Sequence, residues 1–224
     1  AMVDTLSNGR LDVGVGTGYQ EFEFSRFGIT LDNRSEKTIE ILELIHNGLT
    51  KSSFSYDGKF YKQANTAINV RPIQQPYPPV WLAGTDPAMH RAAARYGFNI
   101  FLSGQLGSTR RLGRFLSSVK EGYRTEGADP EGFNLALVRF GYVTDSKKDV
   151  EQYIDGARYQ QRLAVALKRR QEQVADDYWV KEVPYEDELP FDKMAENIPV
   201  GDPEKCARIV TEEIKALGLT HYAI

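Results

Sequence analysis

Cysteine is almost absent: Cys206 is the only one in 224 residues. No intrachain disulfide can form, so stability must come from packing, and a reducing compartment, the cytoplasm, is the simplest home. Cys206 shares a helical face with Ile209, Val210, Ile214 and Leu217 in the stretch 203–217, which predicts a buried structural thiol rather than a nucleophile. Histidine is also scarce, with three copies. His46 falls late in a helix on its exposed side, His90 one turn into another helix, where it could approach the turn before that helix but reads rather as a surface residue, and His221 at the entry of a strand. No His, Cys, Asp or Glu spacing has the form of a metal site, and no serine or cysteine has an evident activating partner. Basic excess is missing: the net charge is −3, which excludes a general polyanion binder and argues against a nucleic-acid partner. The densest basic run, Lys168-Arg169-Arg170, is followed by acids and reads as a solvated helix face. No apolar run approaches the roughly 20 residues of a membrane span. Met2 is followed by Val3-Asp4 without a basic segment, so no secretory leader is read there.

What is present suffices for a core, with 41% apolar and 11% aromatic residues. Strand-like and helix-like segments alternate along the chain. A strand over 11–15 follows the turn Ser7-Asn8-Gly9, and a helix over 35–47 has Ile39, Leu42 and Ile45 on one face, with Gly48 as its stop. Residues 54–79 form a β-type insertion around the hairpin turn Asp57-Gly58. Strands at 80–83, 99–103 and 135–143 alternate with helices at 87–96, 109–125 and 148–178. The acidic, proline-bearing stretch 180–200 reads as a long connection or lid. Asp202-Pro203 opens the last helix, Gly218 closes it, and 221–224 begins a further strand. Short apolar strands alternating with helices predict the α/β class with a parallel sheet, either doubly wound or closed as an eight-stranded barrel.

The most informative segment is VWLAGTDPAMHRAAARYG at 80–97. An apolar strand runs through Gly84 and the hydroxyl residue Thr85 into a helix with Pro87 at its first position and Gly97 past its end. Unpaired N–H groups and the positive dipole end make such a junction an anion site, to which Thr85 adds a hydroxyl. The alternative is that Thr85 or Asp86 merely caps the helix.

Several motifs occur in order: LSNGR at 6–10, GVGTGY at 14–19, FG at 27–28 with Arg34 beyond it, YDGKFY at 56–61, RPIQQPYPPVWLAG at 71–84, AAARYG at 92–97 and PVGDPEKC at 199–206. Together they resemble the bacterial luciferase-like flavin monooxygenase family over nearly the whole chain. The resemblance implies a TIM-type eight-stranded β/α barrel, with this chain matching strands four to eight as one partial barrel domain. The amino-terminal strands and the final helix of that plan are absent from it.

The same resemblance implies where a flavin phosphate would sit. Thr85 matches a phosphate-binding hydroxyl position, and the Gly84–Thr85 peptide matches one that is often cis in relatives. Ala88 stands where relatives can offer a second hydroxyl, leaving its backbone N–H to serve. Arg34 matches an arginine that reaches the phosphate, while a salt bridge to Glu36 or Asp32 is its plain structural alternative. Thr17 replaces a second phosphate-binding arginine. Gly14, Gly16 and Gly18 would let a flat ring approach the strand end, with Tyr19 nearby.

The implied activity is oxidation of a small organic substrate by dioxygen with reduced FMN. A separate flavin reductase would deliver that FMN to a homodimer. Absence of protein acid–base machinery suits an enzyme whose cofactor carries the reaction. The alternatives are a dehydrogenase or reductase using a deazaflavin coenzyme, in the same superfamily, and a flavin-binding protein without turnover.

Overall fold

The computed structural model describes residues 1–171, 173–174 and 179–224. In chain order the elements are α1 (Met2–Leu6), β1 (Val13–Gly16), α2 (Glu21–Arg26), α3 (Arg34–Thr50), β2 (Phe54–Asp57), β3 (Lys62–Thr66), β4 (Val80–Ala83), α4 (Pro87–Tyr96), β5 (Asn99–Gln105), α5 (Thr109–Thr125), β6 (Leu135–Arg139), β7 (Tyr142–Val143), α6 (Lys147–Arg169), α7 (Phe191–Asn197), β8 (Val200–Gly201), α8 (Pro203–Leu217) and β9 (His221–Ala223). They fall into two compact units. The first holds residues 1–17, 32–101 and 117–134, and the second holds 18–31, 102–116 and 135–224.

Within the first unit, β1 and β4 run parallel, with Val13 opposite Val80 and Gly16 opposite Ala83. The same β4 pairs in parallel with β5, where Ala83 lies opposite Phe101. Val80, Trp81 and Leu82 are all buried, as expected of a parallel strand covered on both faces. The Trp81 indole donates to Asp12 Oδ2 at 3.1 Å, which satisfies its one polar atom. Leu42 of α3 is buried at 1% exposure. The β2–β3 pair is antiparallel and turns through 58–61.

The second unit contains the parallel pair β6–β9, with Leu137 opposite Tyr222, and the short parallel pair β7–β8. Its apolar centre joins Leu106, Ile154, Ala157, Met194, Ile198 and Val200. The α8 ends are as expected: Asp202 Oδ1 accepts from Lys205 N–H at 2.7 Å, and Gly218 takes the left-handed conformation.

Several expectations are corrected. Strand β1 covers Val13–Gly16 rather than 11–15. Gly48 does not stop α3, which continues to Thr50. A Cβ there would lie 2.5 Å from Ile68 Cδ1, so the glycine serves close approach within the helix. The strand read over 135–143 breaks after Arg139. Gly141 sits tightly against Pro199 and Ile224, and Tyr142 N–H donates to Pro199 O at 3.0 Å, which diverts the chain into the β7–β8 pair. The long helix read over 148–178 ends at Arg169, with Arg170 left-handed at φ 55°; residues 172 and 175–178 lie outside the described residues. The stretch 180–200 contains α7, whose Met194 is fully buried. On α8 the buried stripe is Cys206, Ile209, Glu213 and Leu217; Ile214 is exposed. Among the described residues, no helix is long and apolar enough to cross a membrane.

Candidate functional site

The first unit brings together the turn 84–88, the end of β1 and the start of α3. Because Gly16 lies opposite Ala83, the residues that follow, Thr17 and Gly84, leave the sheet side by side at the carboxyl ends of their strands. Gly84 has φ +144°, a conformation open mainly to glycine, and turns the chain sharply into α4. The expected cis peptide at Gly84–Thr85 is not found: among the described residues the cis bond is Gln75–Pro76. The unusual φ of Gly84 makes the turn with a trans peptide instead.

Asp86 caps α4. Its Oδ1 accepts from Ala88 N–H at 2.9 Å, and the Ser35 hydroxyl bonds the same carboxylate. Burial alone would raise the Asp86 carboxyl, but the hydroxyl and N–H donors outweigh it and hold the group below the usual carboxylate range. Two consequences follow. The Asp86 charge is turned into the helix cap rather than toward an incoming anion. The Ala88 N–H is already used, which removes the backbone donor expected of it. The donors left open among the described residues are the Thr85 N–H and hydroxyl and the Asp86 N–H, on an exposed Gly84-Thr85 edge.

The Ser35–Asp86 contact also ties the start of α3 to the start of α4. Arg34 is the first residue of α3 and half-buried. Its guanidinium makes no ion pair or hydrogen bond among the described residues, since Glu36 is engaged by Lys59 at 2.7 Å. Arg34 is thus a half-buried cation without an ion pair among the described residues, at the start of α3. Open space lies over the glycines: a Cβ built on Gly14, Gly16 or Gly84 would meet nothing within 4 Å. Gly18 and Tyr19 belong to the other unit, where Gly18 at φ +71° packs on the Phe24 ring.

Two histidine expectations change. His46 is half-buried, its ring 5.4 Å from that of Tyr77 and 5.1 Å from that of Tyr96. His90 is buried at 2% exposure, and its Nε2 lies 3.2 Å from Gly84 O. Sequence reading offered His90 either an approach to this junction or, as its preferred place, the helix surface; the structure shows the approach. The signal that could have found it is its i+4 relation to Asp86, which turns both toward the same junction. Burial is the largest influence on the His90 ring and lowers its pKa below the ordinary value, against the pull of Gly84 O and Asp86. Among the described residues no group of His, Cys, Asp and Glu could hold a metal.

Comparison with known proteins sets this geometry in a family. An uncharacterised protein of Sinorhizobium fredii is 36% identical over 222 residues, covering 99% of this chain and 63% of its own length. The oxygenase component of a flavin-dependent trigonelline monooxygenase from Acinetobacter baylyi is 32% identical over 157 residues, covering 67% of this chain and 42% of that protein. Among solved structures, the monooxygenase RslO1 of Streptomyces bottropensis superposes with a TM-score of 0.76 at 22% identity, over 100% of this chain and 64% of that one. An F420-dependent secondary alcohol dehydrogenase superposes at 0.74 with 19% identity, over 100% and 66%. The chain therefore spans somewhat under two thirds of the length of the first of these relatives in each comparison. The luciferase-like monooxygenase family matches residues 1–221, and the chain belongs to that family.

Proposed function

We propose that this chain carries the cofactor-phosphate half of a flavin-dependent monooxygenase, corresponding to strands four to eight of a TIM-type barrel. The observation that carries the reading is the junction of the α3 and α4 starts through Ser35 and Asp86. It leaves Arg34 unpaired and the Thr85 donors open at the aligned ends of β1 and β4. These groups fit a phosphate dianion: a guanidinium for charge, and a hydroxyl and N–H groups for direction. Gly84 is part of the same edge, and Gly16 and Thr17 border it, with open space over Gly16 for a flat ring.

In this reading Arg34 and Thr85 anchor the cofactor by its phosphate, and Asp86 acts only as the cap. Ala88 supports the helix turn rather than touching the anion. When bound, reduced FMN supplies the two electrons with which dioxygen delivers one oxygen atom to a small organic substrate and the other to water. A flavin reductase supplies the reduced cofactor, the assembly is a homodimer, and the enzyme works in the cytoplasm.

A second reading is hydride transfer with a deazaflavin coenzyme, since Thr17 standing where an arginine is expected does not decide between the two coenzymes. Likeness to the F420-dependent alcohol dehydrogenase supports the same reading. The deciding experiment is calorimetric titration with FMN and with the deazaflavin coenzyme, each oxidised and reduced. Tight binding of reduced FMN with oxygen uptake in the presence of substrate is expected; preference for the deazaflavin would move the assignment to the second reading. Thr85→Val combined with Arg34→Ala is expected to weaken FMN at least about tenfold, the scale of losing charge-assisted hydrogen bonds. An unchanged dissociation constant sinks the phosphate assignment.

A further inference from the structure

We propose that His90 is a positioning residue that sets the orientation of the Gly84–Thr85 peptide for phosphate, an inference resting on the phosphate reading of this turn. The partner at 3.2 Å from His90 Nε2 is a carbonyl oxygen, which only accepts, so Nε2 carries the proton and donates. That oxygen and the Thr85 N–H belong to one planar trans peptide, in which C=O and N–H point in opposite directions. Holding the oxygen toward α4 therefore aims the Thr85 N–H away from α4, into the open side of the turn.

The peptide needs such a hold. Gly84 has φ +144° and no side chain, so nothing local prevents the peptide plane from rotating. On the far side of Thr85, the Asp86 carboxylate is already fixed by Ala88 N–H and by the Ser35 hydroxyl. His90 supplies the matching restraint on the near side, so Thr85 is held from both directions.

The seat of the ring is itself built by packing. Gly122 of α5 approaches so closely that a Cβ there would lie 2.8 Å from His90 Cβ and 3.2 Å from its carbonyl carbon. Burying an imidazole costs solvation that a leucine would not. The acceptor at Nε2 offsets part of that cost. Burial is the largest influence on the ring and lowers its pKa below the ordinary value, against Gly84 O, Asp86 and the Ser118 backbone.

The test compares FMN with riboflavin, which lacks the phosphate, by calorimetry on the purified protein. His90→Leu removes the donor; His90→Gln restores an amide N–H at about the reach of Nε2. Wild type is expected to prefer FMN over riboflavin. In His90→Leu that preference falls by about threefold to tenfold, the scale of one lost hydrogen bond, while riboflavin affinity is unchanged. His90→Gln recovers most of it. A purely structural role would weaken both ligands alike and would not be rescued by glutamine. If His90→Leu fails to fold, His90→Asn replaces it, because its shorter side chain cannot place a donor at Nε2. A leucine or asparagine variant that retains the full FMN preference overturns the inference and leaves the phosphate reading standing. A wild type without any preference overturns the phosphate reading, and this inference falls with it.

Discussion

Among single residues, the most heavily committed side chains are Arg139 and Glu213, exposed by 2% and 1%. Arg139 Nε donates to Glu213 Oε1 at 3.1 Å, and its Nη1 reaches the carbonyls of Gly104 and Gln105 at 3.3 Å. Glu213 also accepts from the hydroxyls of Thr109 at 3.0 Å and Tyr222 at 2.6 Å. Burial, then the neighbouring Glu213 carboxylate, pushes the Tyr222 phenol well above its ordinary value. Every partner is satisfied, so the damage comes from removing one member alone. Glu213→Gln is expected to cost about 3–5 kcal/mol by leaving a buried guanidinium uncompensated. The double change Arg139→Met with Glu213→Leu should recover much of that. Urea unfolding of the three proteins checks this; a cost under about 1 kcal/mol for Glu213→Gln would show the pair to be dispensable. The pair also explains why the α8 pattern misled. A carboxylate is invisible to apolar periodicity, so Ile214 was read into the stripe that Glu213 occupies.

Between elements, the β2–β3 hairpin is held to α3 by three carboxylates: Glu36 pairs with Lys59 at 2.7 Å, Glu43 accepts from the Tyr56 hydroxyl at 2.5 Å, and Glu40 takes the hairpin backbone. Glu40 accepts from the backbone N–H groups of Lys59 at 2.7 Å, Phe60 at 2.9 Å and Tyr61 at 3.0 Å. Burial alone would raise the Glu40 carboxyl, but these three donors outweigh it and hold it below its ordinary value of 4.5. The sign follows: with the folded pKa depressed, the contribution is complete above the unfolded value near 4.5 and is lost as pH falls through the lower, folded value. Hydrogen exchange at residues 59–61 should therefore quicken below pH 4.5 in wild type, relative to intrinsic rates. In Glu40→Gln it should be fast at neutral pH as well. Equal protection in the two proteins at pH 7 would remove Glu40 from this role. Asp57-Gly58 marked the hairpin in sequence. Its attachment was not legible, because Glu40 lies about twenty residues away and forms its bonds to backbone, which carries no sequence signature.

For the whole chain, the lone thiol is a probe of global opening. Cys206 is exposed by 6%, its Sγ lies 3.5 Å from Gly201 O, and burial pushes the thiol above its ordinary value. Native protein should therefore react with an aromatic disulfide reagent only slowly, and denatured protein should release one equivalent at once. Rapid reaction of the native protein would contradict the burial.

The sequence by itself determined the α/β alternation, the helix ends at Gly97, Asp202 and Gly218, and the turn 84–88 as the junction of interest, with its cap left between Thr85 and Asp86. These rest on local chemistry: proline at a first helical position, glycine at a left-handed one, and a short apolar run before each. Tertiary structure decided which donors of that junction remain open. Asp86 is held by Ser35 of α3, and His90 turns inward to Gly84, each through a contact between residues of different elements or turns. Hydrogen-bond partnership is a property of positions in space, and apolar period and turn composition cannot report it.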